Sequence, residues 1–245
     1  MDFIIGKNPV IEALKSERQI NKIWIAEGVQ RHSVQPIIQL AKQNGVLVQY
    51  VPKKKLDQMV EGTHQGIVAQ VAAYRYYEVD DLFVRASEKN EPPFFLILDE
   101  LEDPHNLGSI MRTADAVGAH GIIIPKRRSV GLTATVAKAS TGAIEYIPVA
   151  RVTNLARTID ELKERGVWIV GTDAKAEDDY RSLDGTMPLA LVIGSEGKGI
   201  GRLILEKCDF LIRLPMRGHV TSLNASVAAS LLMYEVYRKR YPLGE

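Results

Sequence analysis

The chain has 245 residues, with 31 Lys and Arg against 30 Asp and Glu and a hydrophobic share of 46%. That size admits one large domain or two modest ones, and the ordinary charged and apolar shares exclude a disordered chain. One cysteine, Cys208, excludes a disulfide framework or a cysteine-built zinc site. No apolar run nears the roughly 18 residues of a membrane span, and Met1–Gly6 shows no leader pattern, so a cytoplasmic protein is expected.

Charge falls in three blocks. Residues 1–75 carry ten Lys/Arg against six Asp/Glu, 76–104 two against nine, and 105–245 nineteen against fifteen. Two mildly basic blocks permit a nucleic-acid partner without demanding one. The acidic middle, closed by Pro92-Pro93, reads as a linker over 75–93, with Leu82-Phe83-Val84 as a short docked turn. It separates a domain over 1–74 from one over 94–245. A chain beginning near Glu91 is accordingly expected to fold by itself.

In the first block Asn8-Pro9 offers a cap and a first helical position, opening a helix through Leu14. A strand follows at Ile23–Ile25, then a helix from Val34 to Lys42 stopped by Asn44-Gly45. Val46 to Val51 reads as a strand, Lys53 to Val60 as a short helix and Ile67 to Val71 as a strand. The alternation makes this block a small α/β unit.

In the second block, apolar runs at 94–98, 121–124, 146–149, 167–170, 189–193 and 210–214 read as buried strands. Helices are expected at 107–117, 133–140, 154–165, 200–207 and 223–240. The fold class is α/β, a doubly wound parallel sheet.

Three loops at the C-terminal ends of these strands, the end where open α/β sheets bind ligands, carry the chemistry. The first, Asp99 to Gly108, leads into a helix that Asn106 could cap, with Gly108 allowing close approach of a backbone or ligand. Arg112 falls on the face away from Ile110, Ala114 and Val117 and is free of the core. As structure alone, this is a capped helix with a solvated arginine.

The second loop is Gly194-Ser195-Glu196-Gly197-Lys198-Gly199-Ile200-Gly201. Its glycines fit neither G-x-G-x-x-G nor G-x-x-x-x-G-K-[ST], which argues against a nicotinamide dehydrogenase and a P-loop NTPase. The third runs from Leu214 to Ser226, with Ser222 and Asn224 as helix-start residues before a helix that is apolar on most faces. A subunit interface could bury part of that helix. His32, His64, His105, His120 and His219 lack metal-ligand spacing, so no metal is expected.

Taken together, Leu98–Arg112, Leu191–Ile200 and Ile212–Ser226 resemble the three signature motifs of the SpoU–TrmH (SPOUT) family of RNA ribose methyltransferases. Residues 1–74, with Gly6-Lys7-Asn8-Pro9-Val10 and His64-Gln65-Gly66, resemble that family's N-terminal substrate-binding domain. The resemblance implies a C-terminal domain with a trefoil knot and an N-terminal domain of the ribosomal L30e type. It also implies a homodimer with the active site near the subunit interface.

The implied cofactor is S-adenosylmethionine, bound by Gly194, Leu214 and Leu223, with Gly171 and Thr172 as further wall. Glycine at 194 would let the adenosine approach. Asn106, Arg112, Glu196, Ser222 and Asn224 match the positions grouped around the methyl acceptor. The implied reaction is methylation of a ribose 2′-hydroxyl in RNA, nearest to the enzymes acting on a guanosine of 23S rRNA. Arginine is a very poor base in proteins, so Arg112 is read as holding phosphate or developing negative charge. The alternatives are a tRNA ribose or base methyltransferase and a non-catalytic RNA-binding knotted protein.

Overall fold

Hydrophobic periodicity sorts the chain into two sheets, each with its own core. In the computed structural model, which describes residues 3–15, 19–72 and 74–244, the chain divides into two units, one of residues up to Arg75 with Gly131–Ala134 and one of Tyr76–Val130 with the residues from Thr135 on. Met1 and Asp2, part of the segment read for a leader, lie outside the described residues.

The first unit contains β1 (Phe3–Ile5), α1 (Lys7–Lys15), β2 (Ile20–Ala26), α2 (Arg31–Gln43), β3 (Leu47–Val51), α3 (Lys53–Met59) and β4 (Ile67–Val71). Its sheet has the order β1-β4-β2-β3, with β2 and β3 parallel and the other pairs antiparallel. Alternation along β2 sets Ile23 and Ile25 against Val10, Leu14, Val34 and Ile37. Trp24 and Ala26 point the other way, to Val51, Leu56 and Val68. Three residues carry no readable period, so β1 is invisible in the sequence. Helix α1 starts at Lys7, one residue after Gly6 at φ +92°, and Asn8 lies inside the first turn instead of capping it.

The second unit contains α4 (Val79–Glu88), β5 (Phe94–Leu98), α5 (Pro104–Ala116), β6 (Gly121–Pro125), α6 (Ala134–Ala139), β7 (Val149–Val152) and α7 (Leu155–Glu164). There follow β8 (Trp168–Thr172), β9 (Asp178–Asp179), β10 (Leu189–Ile193), α8 (Arg202–Leu205), β11 (Phe210–Arg213) and α9 (Ala225–Arg240). The seven strands are all parallel, in the order β7-β6-β5-β10-β8-β11-β9. The chain runs from β5 outward to β7 on one side and fills the other side afterwards, so the order switches between β5 and β10. Two late strands enter between earlier ones, β10 between β5 and β8, and β11 between β8 and β9.

Residues 75–93 are not a linker. The Tyr77 N–H donates to Val149 O at 2.9 Å, and α4 buries Leu82 in the cluster of Phe95, Ile97, Ile159 and Ile169. Gly121 makes room for it, since a Cβ there would stand 2.4 Å from Leu82 Cδ2. The Asp81 carboxylate accepts the Glu78 N–H at 2.9 Å, and acidic side chains suit the positive end of a helix dipole. The acidic run is a helix start.

Two further expectations move. The strand expected at 146–149 lies at Val149–Val152, because Pro148 has no N–H to give a ladder. The helix expected at 200–207 shortens to Arg202–Leu205, with Gly201 as its cap.

His120 is fully buried behind β5. The Phe94 N–H donates to its Nδ1 at 3.0 Å, so the ring proton sits on Nε2, which donates to Glu91 Oε2 at 3.0 Å. Burial pushes its pKa down to about 4, against the pull of Glu91.

Two outcomes follow from these contacts. Leu82→Ala leaves a cavity and should cost about 2–5 kcal/mol in a urea titration, and a chain starting at Glu91 should lose at least as much. Unfolded His120 takes up a proton near pH ~6.5, well above the folded group. Stability should therefore fall as pH drops from about 6.5 to about 4, by at most about 3 kcal/mol. Urea midpoints across this range should lose that slope in His120→Asn.

Candidate active site

The three loops meet in one polar node. Asn106, in the first turn of α5 and only 4% exposed, donates from Nδ2 to Glu196 Oε1 at 2.9 Å. Asn224 donates from Nδ2 to Asn106 Oδ1 at 3.0 Å and also to Glu196 Oε1. The other end of the Asn224 amide caps α9, its Oδ1 accepting the Ser226 N–H at 2.9 Å. Asn106 is not the cap of its own helix. That place belongs to Asp103, whose Oδ1 accepts the His105 N–H at 2.9 Å, and this leaves the Asn106 amide for the node.

Glu196 walls two cavities. One, of about 550 Å³, lies over the C-terminal ends of β8, β10 and β11 and is lined by Thr172, Ile193, Gly194, Leu214, Ser222 and Leu223 among others. The second, about 570 Å³, lies over the β5 end and is lined by Glu100, Glu102, Asp103, Asn106 and Arg128. Ser195, Glu196 and Lys198 are common to both. The site thus sits where the strand order switches.

The glycine loop keeps its shape by closing on itself. The Ser195 and Gly199 N–H groups each donate to the other's carbonyl, at 3.1 and 2.9 Å, around Gly197 at φ +79°. A Cβ on Gly194 would fall 2.2 Å from the Gly199 carbonyl carbon. Glycine is required at 194 by the loop's own backbone, whatever the loop binds.

Gly171 is likewise packed, not lining: a Cβ there would meet Cys208 Sγ at 2.6 Å. Burial pushes the Cys208 thiol up to about 12, which removes it as a nucleophile. Gly108 admits backbone, its Cβ position lying 2.9 Å from the Ala139 carbonyl carbon.

Arg112 is not brought to the node. Six residues beyond Asn106, it points about 120° away around the helix, is exposed, and lines neither cavity. It lies on α5, which is stitched to α9 by Thr113 Oγ1 and Ser230 Oγ at 3.0 Å. On α9, Val227, Leu231 and Tyr234 form an apolar stripe, 43–52% exposed.

Arg128 and Lys198 at the cavity walls escaped the sequence reading, although Lys126-Arg127-Arg128 at a strand end was a visible signal. Among the described residues no group of three His, Cys, Asp or Glu side chains is arranged to hold a metal ion, and no helix is long and apolar enough to cross a membrane.

Comparison with known proteins defines the class. Residues 93–234 match the SpoU rRNA Methylase family, and residues 3–77 match the RNA 2′-O ribose methyltransferase substrate-binding family. Apart from Gly131–Ala134, the first match falls within the second unit, and the second match covers the first unit from Phe3 and runs two residues beyond Arg75. The chain belongs to the SpoU/TrmH family of RNA methyltransferases.

A Bacillus subtilis (strain 168) protein, assigned by name to the TrmH family of tRNA/rRNA methyltransferases, is 75% identical over 244 residues, covering 100% of this chain and 98% of that one. The crystal structure of the SpoU methyltransferase AviRb from Streptomyces viridochromogenes, in complex with the cofactor AdoMet, superposes with a TM-score of 0.62 at 26% identity, covering 97% of this chain and 90% of that one. An AdoMet-bound rRNA methyltransferase from Sinorhizobium meliloti gives 0.59 at 26% identity, covering 96% and 86%.

The node makes a specific demand on residue 224. Asn224→Asp keeps the oxygen that caps α9 but turns the donor facing Glu196 into a second carboxylate. Helicity should stay at the wild-type level, while like-charge repulsion across the node lowers the unfolding midpoint. Circular dichroism and thermal unfolding of both proteins read the two effects.

Proposed function

We propose that this protein transfers a methyl group from S-adenosylmethionine to a ribose 2′-hydroxyl of RNA, with a guanosine of 23S rRNA as the target. The observation that carries the reading is the Asn106–Glu196–Asn224 node standing between two cavities. The residues fit the cofactor: about 550 Å³ is within the roughly 300–1,000 Å³ of small-molecule sites. Its walls pair apolar Ile193, Leu214 and Leu223 with the polar backbone of the glycine loop. Gly194, Leu214, Leu223 and Thr172 would hold the cofactor directly, and Gly171 would support them from behind. When bound, the cofactor supplies an already activated methyl group.

The chain's own groups position the acceptor. Two amides occupy Glu196 Oε1, which leaves Oε2 to accept the proton of the ribose hydroxyl from the second cavity. Fixing that oxygen in line with the methyl group is worth much of the rate. Ser222 closes the cavity rim. Since Arg112 lines neither cavity of its own chain, we take it to act across a subunit interface. The apolar stripe of α9 supports a homodimer as that interface, and the entry of β10 and β11 between earlier strands supports the knotted chain.

Nucleoside mass spectrometry of 23S rRNA and tRNA, from cells with and without the gene, tests the target. Loss of one 2′-O-methylguanosine from 23S rRNA is expected; loss from tRNA, or no loss, overturns this choice. Arg112→Ala should leave calorimetric affinity for S-adenosylmethionine near wild type while single-turnover methylation falls about 10²-fold or more. Arg112→Lys should restore little, lacking the planar fork that binds two oxygens.

A further inference from the structure

Two carboxylates are buried among the described residues, Asp99 and Glu235. Glu235 has a cation, Arg238, at 2.6 Å. Asp99 is 6% exposed and has none: its carboxylate partner is a backbone N–H, that of Gly201, donating to Oδ2 at 2.7 Å. A buried carboxylate without a cation opposes folding, and burial pushes its pKa upward despite that hydrogen bond. A group kept at such a cost calls for a role other than stability.

The role follows from what Asp99 holds. It stands at the end of β5, beside β10, and its own N–H donates to Ile193 O at 2.9 Å. Ile193 is the last residue before the glycine loop, and Gly201 is the last residue of the loop. One residue therefore grips both feet of the eight-residue loop that carries Ser195, Glu196 and Lys198. Gly201 in turn caps α8, its carbonyl accepting the Leu205 N–H at 2.9 Å. A charge-assisted bond is the stronger kind, and Gly201 has little slack, since a Cβ there would lie 3.1 Å from Asp99 Oδ2.

We propose that Asp99 is a positioning residue, a clamp that fixes the span of the 194–201 loop and so sets Glu196 between the two cavities. The cofactor half of this assignment rests on the methyl-transfer reading above; the loop half does not.

Full-length wild type, Asp99→Ala and Asp99→Asn are compared by hydrogen–deuterium exchange, thermal unfolding and calorimetric titration with S-adenosylmethionine. In Asp99→Ala, exchange over 195–201 should quicken, and cofactor affinity fall, about tenfold or more, the scale of one lost hydrogen bond to a charged group. The unfolding midpoint should stay near wild type, because the loss of a buried charge offsets the Gly201 N–H left without its acceptor. Asp99→Asn keeps an acceptor for Gly201 and should recover most of both losses.

Unchanged loop exchange in Asp99→Ala overturns the clamp. So does unchanged affinity beside a wild type that binds the cofactor. A lowered midpoint with faster exchange throughout β5 and β10, failure to fold, or an Asn variant no better than Ala marks Asp99 as an ordinary structural residue and overturns it too. A wild type that does not bind S-adenosylmethionine overturns the methyl-transfer reading instead, and loop exchange still decides the clamp.

Discussion

The side chain of Asn224 makes two sets of hydrogen bonds that can be satisfied in one orientation only. Its oxygen caps α9 and its nitrogen meets Asn106 and Glu196. Flipping the amide would lose both, a cap worth about 1 kcal/mol and charge-assisted bonds of about 1.5–3 kcal/mol. The start of the longest helix, the glycine loop and the first turn of α5 are thereby locked to one another. The rest of the site takes its coordinates from that lock.

The sheet explains why these three segments can meet at all. In a parallel sheet every strand delivers its following loop to the same edge, and a change in strand order parts two neighbouring loops to leave a crevice. Here the change falls between β5 and β10, the strands that precede the Asp99–Asp103 segment and the glycine loop. Glu196 stands in the crevice as a partition, with a space of mixed lining on one side, where Ile193, Leu214 and Leu223 sit beside Thr172, Lys175 and Ser222, and a carboxylate-rich one on the other.

Much of this was legible in the sequence, and the failures have physical causes. Continuous runs such as Leu189–Ile193 declare a buried strand because nothing else tolerates them. Hydrogen bonds between side chains 90 and 118 positions apart leave no period, so the node could be reached only through a resemblance. Asn106 and Asp103 are both good caps, and the local pattern does not say which one the helix uses. Glu78, Asp80 and Asp81 read as a solvated linker because acidity marks a helix start as readily as a loop. Gly194 and Gly171 both read as points where a ligand comes close; backbone at one and Cys208 at the other fill the Cβ position, and of the two only Gly194 lines the cavity. A glycine signals close approach without naming what approaches. Arg112 was placed correctly off the core, but which way an exposed side chain turns relative to a site is a matter of helical phase.

In most α/β proteins the last strands made lie at a sheet edge, and trimming the C-terminus peels the fold from outside. Here β10 and β11 are interior. Until residues past 189 have left the ribosome, β5 and β8 face an empty slot with their backbone groups unpaired, and the contacts that close it join distant parts of the chain, the kind that form slowly. A chain cut before Leu189 loses β10 from the middle of its sheet and β11 from between β8 and β9.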